Sequence, residues 1–290
     1  MFVDQVRAAP ASGPCTLQSR PTAGTELLRP PHPRQFGSAD RRTEAPPPDA
    51  CTVEALRFAV TGSVELRATD GIVLADMFHR LVVRQLDGGR AEVIGHAGTA
   101  TDHTHAHWVP LGDGERITAL LVWVPVGLST AEVAAFLTAA LHGVPLREGG
   151  RRAGSTRPFR LRLDLESAGP IAVVAPELCG PARVWRSLTP YLPVRHRKRA
   201  DLVAYLAEDV RYELAYRSRP PAVVHRLGPL DAEVDPWAST FRRQRPKEGL
   251  RRRPGYRLRL AFEEPEAGPL MLGQLSHFGF GVFVPEGGDR

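Results

Sequence analysis

His107-Trp108-Val109-Pro110-Leu111-Gly112-Asp113-Gly114-Glu115-Arg116-Ile117-Thr118-Ala119-Leu120-Leu121-Val122-Trp123-Val124 reads as a strand pair. His107 to Leu111 and Thr118 to Val124 are rich in residues that suit a pleated, half-buried surface, and Gly112-Asp113-Gly114 between them supplies the turn. Upstream, Leu56-Arg57-Phe58-Ala59-Val60 alternates as a half-buried strand does, and Ile72 through Leu86 carries apolar residues at helical spacing. Downstream, Ser129 or Thr130 is placed to cap a helix whose Val133, Phe136, Leu137, Ala140 and Leu141 recur on one side, with Glu132 in its first turn. Phe159 to Leu165 then sets Phe and Leu against Arg and Asp, as a strand with one wet face does. The order is β-α-β-β-α-β, the ferredoxin-like or RRM-like unit.

The second half repeats that order more loosely. A strand is expected near Val184 to Pro190, a helix from about Arg199 to Tyr216, and strands near Ala222, from Tyr256 to Phe262 and from Phe278 to Val284. Residues 228–255 read as loop, with Pro229, Pro236, Pro246 and Pro254 among arginines. No residue-level repeat is visible, so the pairing of halves rests on element order. The expectation is an α+β protein of two tandem ferredoxin-like (RRM-like) domains, residues 53–175 and 176–290, the second with a glycine-rich C-terminal strand. Residues 1–52, with Pro30, Pro31, Pro33 and Pro46-Pro47-Pro48, are expected to be a disordered tail or a truncated domain.

Over 290 residues, 42% hydrophobic and 24% charged, the chain has enough apolar matter for a core and enough charge for a solvated surface. The formal charge of +6 comes from arginine, since Lys198 and Lys247 are the only lysines. Arginine forks suit phosphates and base edges, although a GC-rich coding bias accounts for the composition equally well. Cys15, Cys51 and Cys179 form no CxxC pair, which fits a reducing cytoplasm and argues against a zinc or redox motif. The N-terminus lacks the charged and apolar regions of a signal peptide, and no run approaches ~18 apolar residues. No membrane partner is indicated.

Asp102-His103-Thr104-His105-Ala106-His107-Trp108 holds three histidines at alternate positions, so a strand would project all three imidazoles from one face. Imidazole titrates near neutrality. It can accept a proton from a ribose 2'-hydroxyl and deliver one to a leaving 5'-oxygen, the two transfers RNA cleavage requires. Surface histidines without a function, a zinc centre and a histidine-triad nucleotide hydrolase are the rival readings. No carboxylate or thiol motif accompanies the histidines, and the intervening Thr104 and Ala106 fit the triad pattern poorly.

Arg195-His196-Arg197-Lys198-Arg199 lies just before the second-half helix, and Arg242-Arg243, Arg245, Lys247 and Arg251-Arg252-Arg253 crowd the later loop. Such runs are commonly no more than solvated surface, yet they would neutralise several phosphates. Trp185, Tyr191, Trp237, Phe241 and Tyr256 lie among them, as core residues or as surfaces for base stacking. In Leu272-Gly273-Gln274-Leu275-Ser276-His277-Phe278-Gly279-Phe280-Gly281-Val282-Phe283, glycine alternates with aromatics inside an expected strand. Strand glycines mark a bulge or the close approach of another backbone or a ligand.

Together, His103 to Pro110 leading into Ile117 to Pro125, Trp185-Arg186-Ser187-Leu188-Thr189-Pro190-Tyr191 followed by Arg195 to Lys198, and His277 to Phe283 resemble the Cas-six-like part of the fused Cas-five/Cas-six protein of type I-U (I-G) CRISPR systems, in the RAMP superfamily. The resemblance runs from about Leu56 to the C-terminus, while the Cas-five-like domain of those longer proteins has only about 50 proline-rich residues in its place. It implies an endoribonuclease, needing no metal or other cofactor, that cuts CRISPR repeat RNA into guide RNAs and leaves a 2',3'-cyclic phosphate. It implies catalytic roles among His103, His105, His107 and His277, with His105 and His107 foremost. Arg186, Arg195, Arg197 and Lys198 are expected to hold the repeat RNA, Gly279 and Gly281 to admit its backbone, and Arg242 and Arg243 to add charge. Alternatives are a non-catalytic RNA-binding subunit of a CRISPR effector complex and a metal-dependent hydrolase built on the histidines.

Overall fold

The computed structural model describes residues 53–86, 90, 93, 105–147, 158–197, 201–229, 234–242 and 254–287. The expected tail, and with it His103, Lys198 and Arg243, lie outside the described residues.

The first sheet contains β1 (Val53–Gly62), β2 (His107–Gly112), β3 (Ile117–Leu128), β4 (Val144–Arg147) and β5 (Pro158–Gly169) in the order β2-β3-β1-β5-β4, all antiparallel. Helices α1 (Gly71–Gln85) and α2 (Thr130–Leu141) complete a ferredoxin-like unit, to which β4 adds an edge hairpin with β5. The short α3 (Ile171–Val174) leads into the second sheet. There β6 (Ala182–Ser187), β7 (Ala222–Leu227), β8 (Arg257–Glu266), β9 (Leu270–Met271) and β10 (Val282–Pro285) run β7-β8-β6-β10-β9, again antiparallel, with α4 (Leu202–Tyr216) between β6 and β7. The chain therefore folds as two ferredoxin-like units. In the second, β9 and one 3-10 turn at Ser276–Phe278 stand where a second long helix would complete the pattern, and the loop from β7 to β8 holds the short α5 (Pro236–Thr240).

Alternation along the strands explains how the layers stack. Leu56, Phe58, Trp108, Leu120 and Val122 point toward α1 and α2, where they meet Leu74, Phe78, Val82 and Phe136. The opposite parity, Ala55, Val109, Leu111, Ala119 and Leu121, packs against Val174 and Leu178 and against Met271 and Val282 of the second sheet. The far face of that sheet buries Trp185, Leu258, Leu260 and Phe283 beneath Leu206, Val210 and Leu214 of α4. Each such side chain contributes about 1.5–3 kcal/mol on burial, so the two sheets share an apolar seam in addition to their own cores. No helix among the described residues is long and apolar enough to cross a membrane.

Two expectations change. Leu141, assigned to the buried side of α2, is 88% exposed, being the last residue of the helix, ahead of the His142 cap and the reversal at Gly143. The glycine-rich run is a turn and only its end is a strand: Leu275, Gly279 and Gly281 take φ of 62°, 81° and 57°, which an extended chain cannot hold.

Ser129 is the cap of α2. Its Oγ accepts from Glu132 N at 3.3 Å, while the Glu132 carboxylate accepts from Ser129 N at 2.7 Å and from Arg90 Nε at 2.8 Å. Burial acts to raise the Glu132 carboxyl, but the hydrogen bonds from Arg90 and Ser129 outweigh it and hold the group below the usual carboxylate range. The bound proton is thus disfavoured in the folded state, and the stabilisation is present above the ordinary carboxylate value and lost as pH falls through the lowered one. Glu132→Gln is expected to lower stability by about 1–2 kcal/mol at pH 7, a deficit that narrows toward pH 3 in urea titrations.

Candidate active site

β2 is an edge strand, and the Ser276–Phe278 turn packs along its open side. Trp108 faces the helices, so His107, its neighbour in sequence, faces the second sheet. Across the hairpin His107 stands opposite Trp123 in register, and the two rings stack at 5.1 Å. The turn brings His277 onto the other side of His107, with ring centroids 4.5 Å apart. His105, just before β2, reaches the His277 ring edge-on at 5.4 Å. Trp123, His107, His277 and His105 thus form one row of rings from positions up to 172 residues apart. Phe278 goes to the other side of the strand, against His79 of α1 at 5.5 Å.

His107 Nδ1 donates to the Ser276 carbonyl at 3.3 Å. A carbonyl only accepts, so this contact places the proton of the neutral ring on Nδ1 and the lone pair on Nε2. His107 is 2% exposed and His105 8%, and the His105 Nδ1 is buried without a hydrogen-bond partner among the described residues. Beside them opens a cleft of about 520 Å³, lined by His107, Trp123 and Pro125, by Tyr216 to Arg219 at the end of α4, and by Pro269 to Met271. Arg217 and Arg219 are held there by Glu213 and Glu266. Among the described residues no group of three or more His, Cys, Asp or Glu is arranged to hold a metal ion.

The turn that carries His277 is fixed at both ends. Leu272 N donates to Gly281 O at 2.9 Å, Gly281 N to Pro190 O at 2.9 Å, and Gln274 N to Leu192 O at 2.8 Å. Gly273 N donates to the buried carboxylate of Glu213 at 2.9 Å. A Cβ at Gly281 would meet Leu272 O at 1.8 Å, and one at Gly279 would meet Pro110 Cδ at 2.6 Å. The space both glycines leave is filled by the protein's own chain, so they shape the turn that presents His277.

The expected basic residues do not converge as a set. Arg195 and Arg197 lie on the exposed loop ahead of α4, tethered by the buried Asp209, which accepts from Val194 N and Arg195 N at 3.0 Å each and from the Tyr191 hydroxyl. Burial first, then the Asp209 charge and hydrogen bond, push the Tyr191 phenol well above its ordinary value and keep it a donor. Arg242 sits at the start of α1, its N donating to Thr69 O at 2.8 Å. Arg186 lines a different cleft with Arg57, beside the Leu111–Gly112 end of β2, away from His107. Sequence reasoning missed Trp123, Tyr216, Arg217 and Arg219. Trp123 had a usable signal, since hairpin pairing sets it against His107; the other three reach the cleft only through the stacking of sheets.

No family model matches the sequence, and no curated protein matches it. Among solved structures the chain is similar to a Cas6 product complex, at 14% identity and a TM-score of 0.39 over 82% of this chain and 100% of that one. It is also similar to a CRISPR associated protein Cas6, at 12% identity and a TM-score of 0.39 over 80% of this chain and 98% of that one.

Gly281→Ala is expected to cost roughly 2–4 kcal/mol, because a side chain at positive φ would meet backbone that cannot move aside. The measurement is urea denaturation, and an unchanged midpoint would show that the turn has slack.

Proposed function

We propose that this chain is an RNA-binding protein that cleaves CRISPR repeat RNA at the histidine row, without a metal. The observation that carries the reading is the meeting of His107 and His277 at 4.5 Å, with His107 lining an open cleft that Arg217 and Arg219 also line. Cleavage needs a base and an acid within reach of one phosphate, and two neighbouring imidazoles supply both from one residue type. In this reading the domains comprise residues 53–175 and 176–290, and the site lies where they meet.

The Nε2 of His107, basic because Nδ1 serves Ser276, takes the proton of a ribose 2'-hydroxyl. The freed oxygen attacks the adjacent phosphorus, and the bond to the 5'-oxygen breaks as that oxygen takes a proton from the His277 imidazolium. The products are a 2',3'-cyclic phosphate and a 5'-hydroxyl. Charge gathering on the phosphorane is offset by Arg217 and Arg219 at the cleft rim. Repeat RNA as the substrate rests on the resemblance of the three sequence stretches, and the expected RNA contacts of Arg195 and Arg197 accord with their exposed loop.

Incubation with labelled repeat RNA in EDTA is expected to give a single cut ending in a cyclic phosphate. His107→Ala and His277→Ala should each lower the rate by about 10²-fold or more, and the pH–rate profile of the parent should be bell-shaped, since one ring works neutral and the other charged. Tight binding with the RNA left intact would assign the chain a binding role in place of a catalytic one. Activity lost in EDTA and restored by zinc would overturn the imidazole mechanism.

A further inference from the structure

The solvent face of α4 carries an arrangement that the histidine row does not use. Tyr212 and Tyr216 are four residues apart and so share a face, about 6 Å apart along the axis. The guanidiniums of Arg195 and Arg211 lie over the Tyr212 ring at 3.8 and 4.3 Å. Contact with the ring holds both cations at a set place on the surface. One turn further, Tyr216 is 53% exposed and lines the cleft that holds His107. The acids of the helix cancel this charge only in part, since Asp209 pairs with Arg195 at 3.4 Å. Asp209 and Glu213 are buried and committed to Arg195, Arg217 and the backbone of the two loops, which leaves Glu208 as the exposed acid of α4.

From this we infer that the α4 face is the track of a single-stranded RNA segment entering the cleft, with Arg195 and Arg211 on its phosphates and Tyr216 stacked on the base next to the reacting phosphate. The inference rests on the endoribonuclease reading for the direction of the strand, but not for the binding itself. A single strand is required because a stacking ring needs an unpaired base face, which a duplex does not offer. The cleft of about 520 Å³ has room for one base with its ribose. Its lining includes Trp123, Pro125, Pro269 and Tyr216, all flat or ring-bearing side chains.

The test uses the full chain and a fluorescein-labelled single-stranded RNA with 2'-O-methyl riboses, which offers no 2'-hydroxyl for attack, followed by anisotropy across a salt series. Tyr216→Ala is expected to weaken binding about tenfold and Tyr216→Phe to leave it nearly intact, because the ring alone stacks. Arg211→Glu should weaken binding and flatten the salt dependence, whereas Arg162→Glu, a charge reversal on β5 of the first sheet, should change little. A duplex of equal length should bind more weakly and ignore Tyr216. Unchanged affinity in both Tyr216→Ala and Arg211→Glu overturns the track, as does the absence of any RNA binding. Cleavage of unmodified RNA is scored separately. Cutting that survives with α4-independent binding leaves the nuclease reading standing and removes the track; α4-dependent binding by a parent that never cuts does the reverse.

Discussion

Gly279 lies so close to β2 that a Cβ there would meet Pro110 Cδ at 2.6 Å, and the position of everything else in the site follows from that approach. With the turn pressed on the strand edge, the Ser276 carbonyl comes within hydrogen-bond reach of His107, His277 reaches its ring, and Phe278 crosses to His79 on the far side. The same contact covers an edge strand that would otherwise expose unpaired backbone. Leu275, a non-glycine residue at φ 62°, shows that the turn is held against local preference by its surroundings. Those surroundings are Ile72 of α1, Leu192 and Phe280, which form a small apolar cluster joining the two halves.

Buried acids organise the second unit in a comparable way. Asp209 and Glu213 occupy successive turns of α4, and each spends its oxygens on backbone N–H groups of a neighbouring loop. A carboxylate taken out of water gains little net stability from an ion pair, but it is strongly penalised if its partners leave. The result is geometric: the Arg195 loop and the glycine turn are both referred to one helix. That common reference fixes the exposed arginines before α4, the tyrosines along it and the glycine turn relative to one another.

The fold was largely legible in the chain. Alternation in Leu56 to Val60 and in Phe159 to Leu165, the Gly112-Asp113-Gly114 turn and the Ser129 cap with Glu132 all correspond to elements that formed where their periodicity put them. The misreadings have local causes. Glycine alternating with aromatics between 279 and 283 mimics a strand with one apolar face, yet the glycines are there for their positive φ. β4 and β9 are too short, at four and two residues, for any periodicity to register. Leu141 has the right spacing for burial and the wrong place in the helix.

By itself the sequence determined which faces are apolar, hence two ferredoxin-like units, and it set His107 on the face opposite Trp108, because side-chain direction in a strand is a local property of the backbone. Tertiary structure decided which of the remaining groups that histidine meets. His277 and Trp123 join the row through a docked turn and a hairpin register, Tyr216, Arg217 and Arg219 through the stacking of sheets, and Arg186 is carried to another cleft altogether. Contacts between residues far apart in the chain depend on how surfaces fit one another, and no spacing within the sequence encodes that fit.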